Sequence, residues 1–158
     1  MAKKEQSSPD TTKVVAINRK ARFEYSIEDT FEAGLVLQGT EVKSLRNGRA
    51  NIQDAYAGPY QNEIWLYNAH IAEYTQGNRN NHPPLRPRKL LMHRRQVNKL
   101  LGLLKVKGTT LIPLKLYFNA SGFAKLELGV ARGKKQYEKR ETIKNREWKK
   151  EQGRLLKK

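Results

Sequence analysis

Between Tyr25 and Leu37 the apolar side chains Tyr25, Ile27, Phe31, Ala33, Leu35 and Leu37 fall on odd positions, with Glu24, Ser26, Glu28, Thr30 and Glu32 on the even side. A period of two sends alternate side chains to opposite faces of an extended chain, so this segment predicts a long, half-buried strand. Gly34 interrupts the polar face and predicts a bulge or sharp bend. The alternation returns in TTLIPLKLYF through Thr110, Ile112, Leu114, Leu116 and Phe118, and again through Ala124, Leu126, Leu128 and Val130, with NASG to turn the chain. These runs predict an antiparallel hairpin with one wet face. Pro113, off the buried register, suits an edge or a bulge.

Elsewhere the period lengthens or disappears. Val97, Leu100, Leu101 and Leu104 repeat at helical spacing opposite Arg94, Arg95 and Lys99, which predicts an amphipathic helix. QGTEVKSLRNG predicts two helical turns, with Thr40 as N-cap, Val42 and Leu45 inward and Gly48 as the stop. A short apolar run, Val14 to Ile17, leads into NRKARFEY, where Asn18 is placed to cap a brief helix carrying Arg19, Lys20 and Arg22. ANIQDAY and EIWLYNAHI predict strands joined through AGPYQN. Thr75 to Pro87, TQGNRNNHPPLRP, has no periodicity and predicts a long mobile loop. Strands without regular βαβ alternation predict a mainly β fold: a small antiparallel barrel with two or three short helices. Among such barrels the OB-like kind is the one that most often meets nucleic acid.

Charge then narrows the partner. The 158 residues carry 32 Lys and Arg against 15 Asp and Glu, a formal net charge of +17. Such a balance attracts nucleic acid or an anionic membrane. No apolar run approaches the roughly 18 residues of a spanning helix, and the N-terminus has no signal-peptide apolar region, so RNA or DNA in the cytoplasm is the expected setting, with no membrane partner. Without cysteine, disulfides and cysteine-ligated zinc are excluded.

The excess is uneven. Arg132 to Lys158 hold twelve basic and four acidic side chains, a balance of +8. Their apolar residues Tyr137, Ile143, Trp148 and Leu155 are too sparse to form a docking stripe, so a helix there is feasible but marginal alone. The expectation is a tail disordered when free that folds on an RNA partner, with aromatics available to stack. The chain therefore divides into a polar lead-in at 1–13, an OB-like RNA-binding barrel at 14–131 and a basic tail at 132–158.

No catalytic pattern emerges. His70, His82 and His93 lack a second ligand at metal spacing, and no phosphate loop, dinucleotide fingerprint or nucleophile elbow is present. Glu28, Asp29 and Glu32 are the only acidic group that could serve a metal-dependent nuclease; a solvated strand face is the simpler reading. Neither a catalytic residue nor a metal site nor a cofactor is predicted.

Several stretches together resemble one family: AINRKARFEYSIEDTFEAGLVLQGTEVKSLRNGRANIQDAY, RPRKLL, LKLYF and GVARGKKQYEKRETIKNREW. From about Val15 onward the chain is similar to the SmpB family, the SsrA-binding proteins of bacterial ribosome rescue; FEAGLVLQGTEVKSLR and GKKQYEKR are its most specific segments. The resemblance implies an OB-like barrel with a tail that becomes helical on the ribosome. It implies an RNA-binding adaptor, not an enzyme, that binds the tRNA-like part of transfer-messenger RNA and enters stalled ribosomes with elongation factor Tu and GTP. The tail then occupies the decoding centre and the empty message channel, and the nascent chain is tagged for degradation. Carried over by motif, the RNA contacts are Asn18, Arg19, Lys20, Arg22, Glu32, Leu91 and Lys125. The ribosome-binding tail positions are Gly133, Lys134, Lys135, Tyr137, Glu138, Lys139 and Arg140, with Ile143 and Trp148 beyond. Some relatives have His at the Tyr137 position and Asp at the Glu138 position, changes that keep a stacking ring and an acceptor.

On composition alone a ribosomal protein would suit equally, and would remain stoichiometric on salt-washed ribosomes. A nuclease would cleave RNA with magnesium and lose that activity in Glu32→Gln.

Overall fold

A computed structural model describes residues 13–76, 81–133 and 136–156. Residues 1–12 of the lead-in, 77–80 of the expected loop, Lys134, Lys135 and 157–158 lie outside the described residues, and Lys13, expected in the lead-in, opens the first strand. The first strand, β1 (Lys13–Ile17), leads to a short helix α1 (Ala21–Glu24) and the long strand β2 (Tyr25–Leu35). Helix α2 (Gly39–Arg46) and the two-residue strand β3 (Ala50–Asn51) follow, then the hairpin β4 (Tyr56–Tyr60) and β5 (Glu63–Tyr67). Next come β6 (His70–Ile71), β7 (Arg88–Leu91), helix α3 (Arg94–Leu103), the hairpin β8 (Thr109–Phe118) and β9 (Ala124–Gly133), and helix α4 (Gln136–Leu156).

Strands β8, β4, β5, β7, β2 and β9 pair in that order, and β9 pairs back onto β8, so the ring is closed, with β1 on the remaining stretch of β8. Every pairing is antiparallel. This is the expected antiparallel barrel. Closure leaves few open edges, which a small basic protein would otherwise have to protect. Its interior holds Ala33, Leu45, Ile64, Leu66, Leu90, Leu111, Leu116, Leu126, Leu128 and Val130, sealed at one end by Val97 and Leu100 of α3.

Two bulges divide the apolar alternation between two cores. Register shifts between Ile27 and Asp29 in β2 and between Pro113 and Lys115 in β8. One inserted residue sends the next side chains to the opposite face. Leu116 and Phe118 therefore enter the barrel, whereas Ile112 and Leu114 pack outside it with Ala21 and Ala131 against Tyr25 and Ile27. The hairpin has no simple wet face: α1 covers this outer patch. Pro113 does sit at a bulge. Gly34 does not; it pairs with Leu91 on one side and Lys125 on the other, and a Cβ there would lie 3.4 Å from Leu91 Cβ.

Other expectations shift locally. Asn18 is not an N-cap; Lys20 occupies that position without a side-chain hydrogen bond. Gln38, not Thr40, caps α2, in a capping box with Glu41. AGPY belongs to β4, so the β4–β5 turn is only Gln61 and Asn62, both with positive φ. EIWLYNAHI is two strands, broken at Asn68, whose φ is 60°. The loop before β7 is fastened over its second half. His82, 1% exposed, bonds Thr40 Oγ1 at 2.9 Å and Ile71 O at 2.9 Å, and the Ile71 N–H donates to Pro84 O.

A buried charge network joins that loop to α2. Glu41 and Arg88 are both 0% exposed, with Arg88 Nε donating to Glu41 Oε2 at 2.6 Å and Arg86 Nη2 to Oε1 at 2.6 Å. Arg88 also donates to Ala69 O at 2.7 Å and Pro84 O at 3.1 Å. Burial pushes the Glu41 carboxyl up, but the Arg86 hydrogen bond, the Gln38 N–H and the Arg88 charge outweigh it and hold the group below the usual carboxylate range. Burial lowers the Arg88 guanidinium from its ordinary value, against the pull of Glu41.

The tail expected to be disordered in the free protein is helical in this structure, from Gln136 to Leu156. Its interior residues up to Gly153 are mostly good helix formers.

Candidate nucleic-acid interface

On β9, Leu126, Leu128 and Val130 point into the barrel, so Lys125, Glu127, Gly129 and Ala131 share its outer face. Glu32 of β2 stands directly opposite Glu127, and two like charges so placed repel. Two neighbours relieve them: Lys115 faces Glu127 across the β8–β9 ladder, and the Tyr117 hydroxyl donates a hydrogen bond to Glu32 Oε2. Tyr117 is buried, and burial together with the Glu32 and Glu127 carboxylates pushes its hydroxyl above the ordinary tyrosine range. It thus stays a proton donor. Glu32 itself is exposed. It can accept further hydrogen bonds, the only polar role a carboxylate can fill beside RNA.

Beside Glu32 the strand reaches Gly34, between Leu91 of β7 and Lys125 of β9. The missing side chain opens a groove of about 350 Å³ bounded by Leu35, Leu37, Leu91, Phe123 and Lys125. Leu91 is 52% exposed and Phe123, at the hairpin tip, 66%. An apolar wall with one ammonium group at its edge can hold a base or sugar against hydrocarbon while Lys125 meets phosphate. Glu32, Leu91 and Lys125, far apart in sequence, therefore form one surface. Phe123 was missed; a large aromatic immediately after a glycine turn was the available signal.

The other predicted RNA contacts lie at the β1–α1 corner. Asn18 is buried: its backbone N–H donates to Leu114 O at 2.9 Å, and Nδ2 to Pro113 O at 3.0 Å and Ile52 O at 3.5 Å. Its amide thus clips β1 to the β8 bulge, and its Oδ1 has no partner among the described residues. Arg19, Lys20 and Arg22 surround it on the surface. Both groups lie against β8, Asn18 at Pro113 and Leu114, Glu32 at Tyr117.

The acidic trio is dispersed in its partnerships. Glu28 meets Arg132 at 3.4 Å, Asp29 meets Lys99 at 3.8 Å and Glu32 takes the Tyr117 hydroxyl. Among the described residues no group of three or more His, Cys, Asp or Glu is arranged to hold a metal ion, and no helix is long and apolar enough to cross a membrane.

In the tail, Gly133 ends β9 opposite Tyr25. The side chains of Tyr137, Glu138 and Lys139 lie outside the described residues. Arg140 is exposed, as are Ile143 at 42% and Trp148 at 61%. Helix α4 meets α1, where the Arg146 guanidinium lies 5.4 Å from the centre of the Phe23 ring.

Comparison with known proteins gives a consistent result. A family model described as SmpB protein matches residues 15–158. An SsrA-binding protein of Bradyrhizobium diazoefficiens is 65% identical over 144 residues, 91% of this chain and 92% of its own length. One from Afipia carboxidovorans is 63% identical over the same shares. A solved chain described under "tmRNA-SmpB: a journey to the center of the bacterial ribosome" is 49% identical, with a TM-score of 0.64 over 76% of this chain and 84% of that one.

Proposed function

The chain belongs to the SmpB family of SsrA-binding proteins, and from that premise we propose that it is an RNA-binding adaptor of ribosome rescue in the cytoplasm, without chemistry of its own. The barrel binds the tRNA-like part of transfer-messenger RNA. The complex, with elongation factor Tu and GTP, enters ribosomes stalled on a message, and the tail from Gly133 onward occupies the decoding centre and the vacant message channel. The ribosome then tags the nascent chain for degradation.

The observation that carries this reading is the grouping of Glu32, Leu91 and Lys125 around the bare backbone of Gly34. An apolar wall and a cation in one groove, with the Glu32 acceptor beside it on the same face, suit a folded RNA, whose ribose hydroxyls and unstacked bases need all three. Charge supports a division of labour: the tail carries +8 of the +17, so a strongly basic barrel remains without it. In the tail, Lys134, Lys135, Lys139 and Arg140 neutralise phosphates, Tyr137 and Trp148 stack on bases, Glu138 accepts hydrogen bonds and Ile143 supports the helix.

The test is to recover the full chain and a form lacking residues 134–158 from a bacterial lysate, sequence the bound RNA and measure tagging. Both forms should enrich one tRNA-like messenger RNA, and only the full chain should tag. If the shortened form recovers no such RNA while the full chain brings down ribosomal RNA alone, the adaptor reading gives way to a ribosomal one.

A further inference from the structure

The outer face of the β4–β5 hairpin has no assigned role. Ala57, Ile64 and Leu66 point into the barrel, so Tyr56, Gly58 and Tyr60 face outward on β4, opposite Tyr67, Trp65 and Glu63 on β5. The four aromatic rings form one platform. Tyr56 and Tyr67 stack with centroids 5.5 Å apart at 29°, and Tyr60 meets Trp65 edge-on at 6.0 Å and 83°. Tyr56 is 46% exposed and Tyr60 54%. Gly58, itself buried, lets the rings close over the strand, with the Tyr67 ring 3.8 Å from where a Cβ would stand. The Trp65 Nε1–H has no partner among the described residues.

Four aromatics side by side on a solvent-facing sheet exceed what a barrel exterior needs. A protein partner or a nucleic acid could cover them, and the charge at the platform's edge decides between the two. Glu63 is shared by two cations, Lys89 Nζ at 3.6 Å and Arg94 Nη2 at 2.7 Å. One positive charge is therefore left over beside Trp65, whose neighbour across the β5–β7 ladder is Lys89. Solvent-facing rings edged by cations in excess of carboxylates on an antiparallel sheet are the arrangement on which single-stranded RNA lays its bases, with phosphates at the cations.

We propose that Tyr56, Tyr60, Trp65 and Tyr67 form a stacking platform for unpaired bases of ribosomal RNA. The choice of ribosomal RNA rests on the functional reading above. In the ring, β4 and β5 are separated from β2 and β9 by β7 on one side and β8 on the other. The platform's edge at Lys89 lies two positions from Leu91 on the outer face of β7, and from there the rings run across β5 to β4. A barrel holding transfer-messenger RNA at Glu32, Leu91 and Lys125 thus leaves Tyr56 and Tyr60, two strands beyond Leu91, free for the particle it enters. Stacking tolerates any base, so the platform confers grip without sequence preference.

Two measurements on the full chain test this. Labelling with 5-fluorotryptophan gives one ¹⁹F resonance for each of the two tryptophans, Trp65 and Trp148; titration with an unstructured RNA decamer should move the Trp65 resonance. Tyr60→Leu, which keeps an apolar side chain at an exposed position, should weaken the affinity read at Trp65 by about fivefold or more, while Tyr60→Phe should not. A Trp65 resonance that stays in place at saturating RNA, or equal affinities for the Leu and Phe variants, overturns the proposal. A photo-crosslinker at position 60 in stalled ribosomes should then capture ribosomal RNA; capture of a ribosomal protein or of transfer-messenger RNA overturns it. Glu32→Gln separates this idea from the functional reading. It should weaken binding to transfer-messenger RNA and leave the decamer response at Trp65 unchanged.

Discussion

Replacing Arg88 by Met tests whether the buried charge network holds the site in shape. The substitution keeps much of the side-chain volume and removes three donated hydrogen bonds, to Glu41 at 2.6 Å, Ala69 O at 2.7 Å and Pro84 O at 3.1 Å. Glu41, fully buried, would retain only Arg86 and the Gln38 N–H. Breaking one side of such a pair costs about 3–5 kcal/mol, most of it the penalty of the stranded charge. With a urea slope of about 1–3 kcal/mol per molar, the unfolding midpoint should fall by roughly 2 M. The double variant Glu41→Leu, Arg88→Met removes the stranded charge and should recover part of the loss, short of the parent because Arg86, the Gln38 N–H and the Ala69 and Pro84 carbonyls lose these partners. The sign with pH follows from the depressed Glu41 carboxyl. Its contribution is complete above the carboxyl's unfolded-state value and disappears as pH falls through the lower folded value, so the parent should lose stability on acidification and the double variant less. Urea titrations followed by circular dichroism at neutral and acidic pH measure both effects. A loss below about 1 kcal/mol for Arg88→Met, or a double variant as unstable as the sum of the single ones, would refute the reasoning.

Two further outcomes are expected. Gly129→Ala would place a Cβ 3.0 Å from Leu114 Cδ1 and 3.3 Å from Ile27 Cγ2. It should cost about 1–3 kcal/mol, read as a lower thermal midpoint, because both neighbours belong to the packed outer core; an unchanged midpoint would show that patch to be loose. Tyr117→Phe removes the hydroxyl that holds Glu32 and should weaken affinity for transfer-messenger RNA by about 1 kcal/mol, roughly fivefold, in a filter-binding titration. A change in melting without a change in affinity would assign Tyr117 to the fold alone.

The parts legible in the sequence are those whose side chains repeat. Val97, Leu100, Leu101 and Leu104 announced α3, and Leu126, Leu128 and Val130 announced β9, because a single face is buried along each. Of the two bulges, Pro113 marks the one in β8, while nothing in the sequence marks the one in β2 or shows what either does to the faces. Ile112 and Leu114 look like the continuation of Leu116 and Phe118, and only pairing with β9 reveals that one inserted residue sends them to opposite sides. Charged residues mislead in the same way. Nothing in the sequence sets Glu41, Arg86 and Arg88 apart from other charged residues, since burial of such groups depends on partners some 45 residues apart that no local pattern records. At the candidate site, Glu32 shows only as one more polar strand position. Its meeting with Leu91 and Lys125 arises from strand order, and the resemblance to a family, not periodicity, singled it out. Asn18 was legible as important but not as a clip on β8, because its bonds go to backbone groups as far away as Pro113.

The pairing of β2 with β9 also governs when the barrel can form. Tyr25 lies beside Gly133, more than a hundred residues later. Helix α3 and the β4–β5 and β8–β9 hairpins can form from nearby residues, but β2 must wait for the final strand before its longer edge is satisfied. Closing so large a loop slows folding and leaves an incomplete nascent chain with an unpaired strand edge and exposed apolar surface. Synthesis that halts anywhere before β9 therefore yields no partly working barrel, only an aggregation-prone fragment suited to removal.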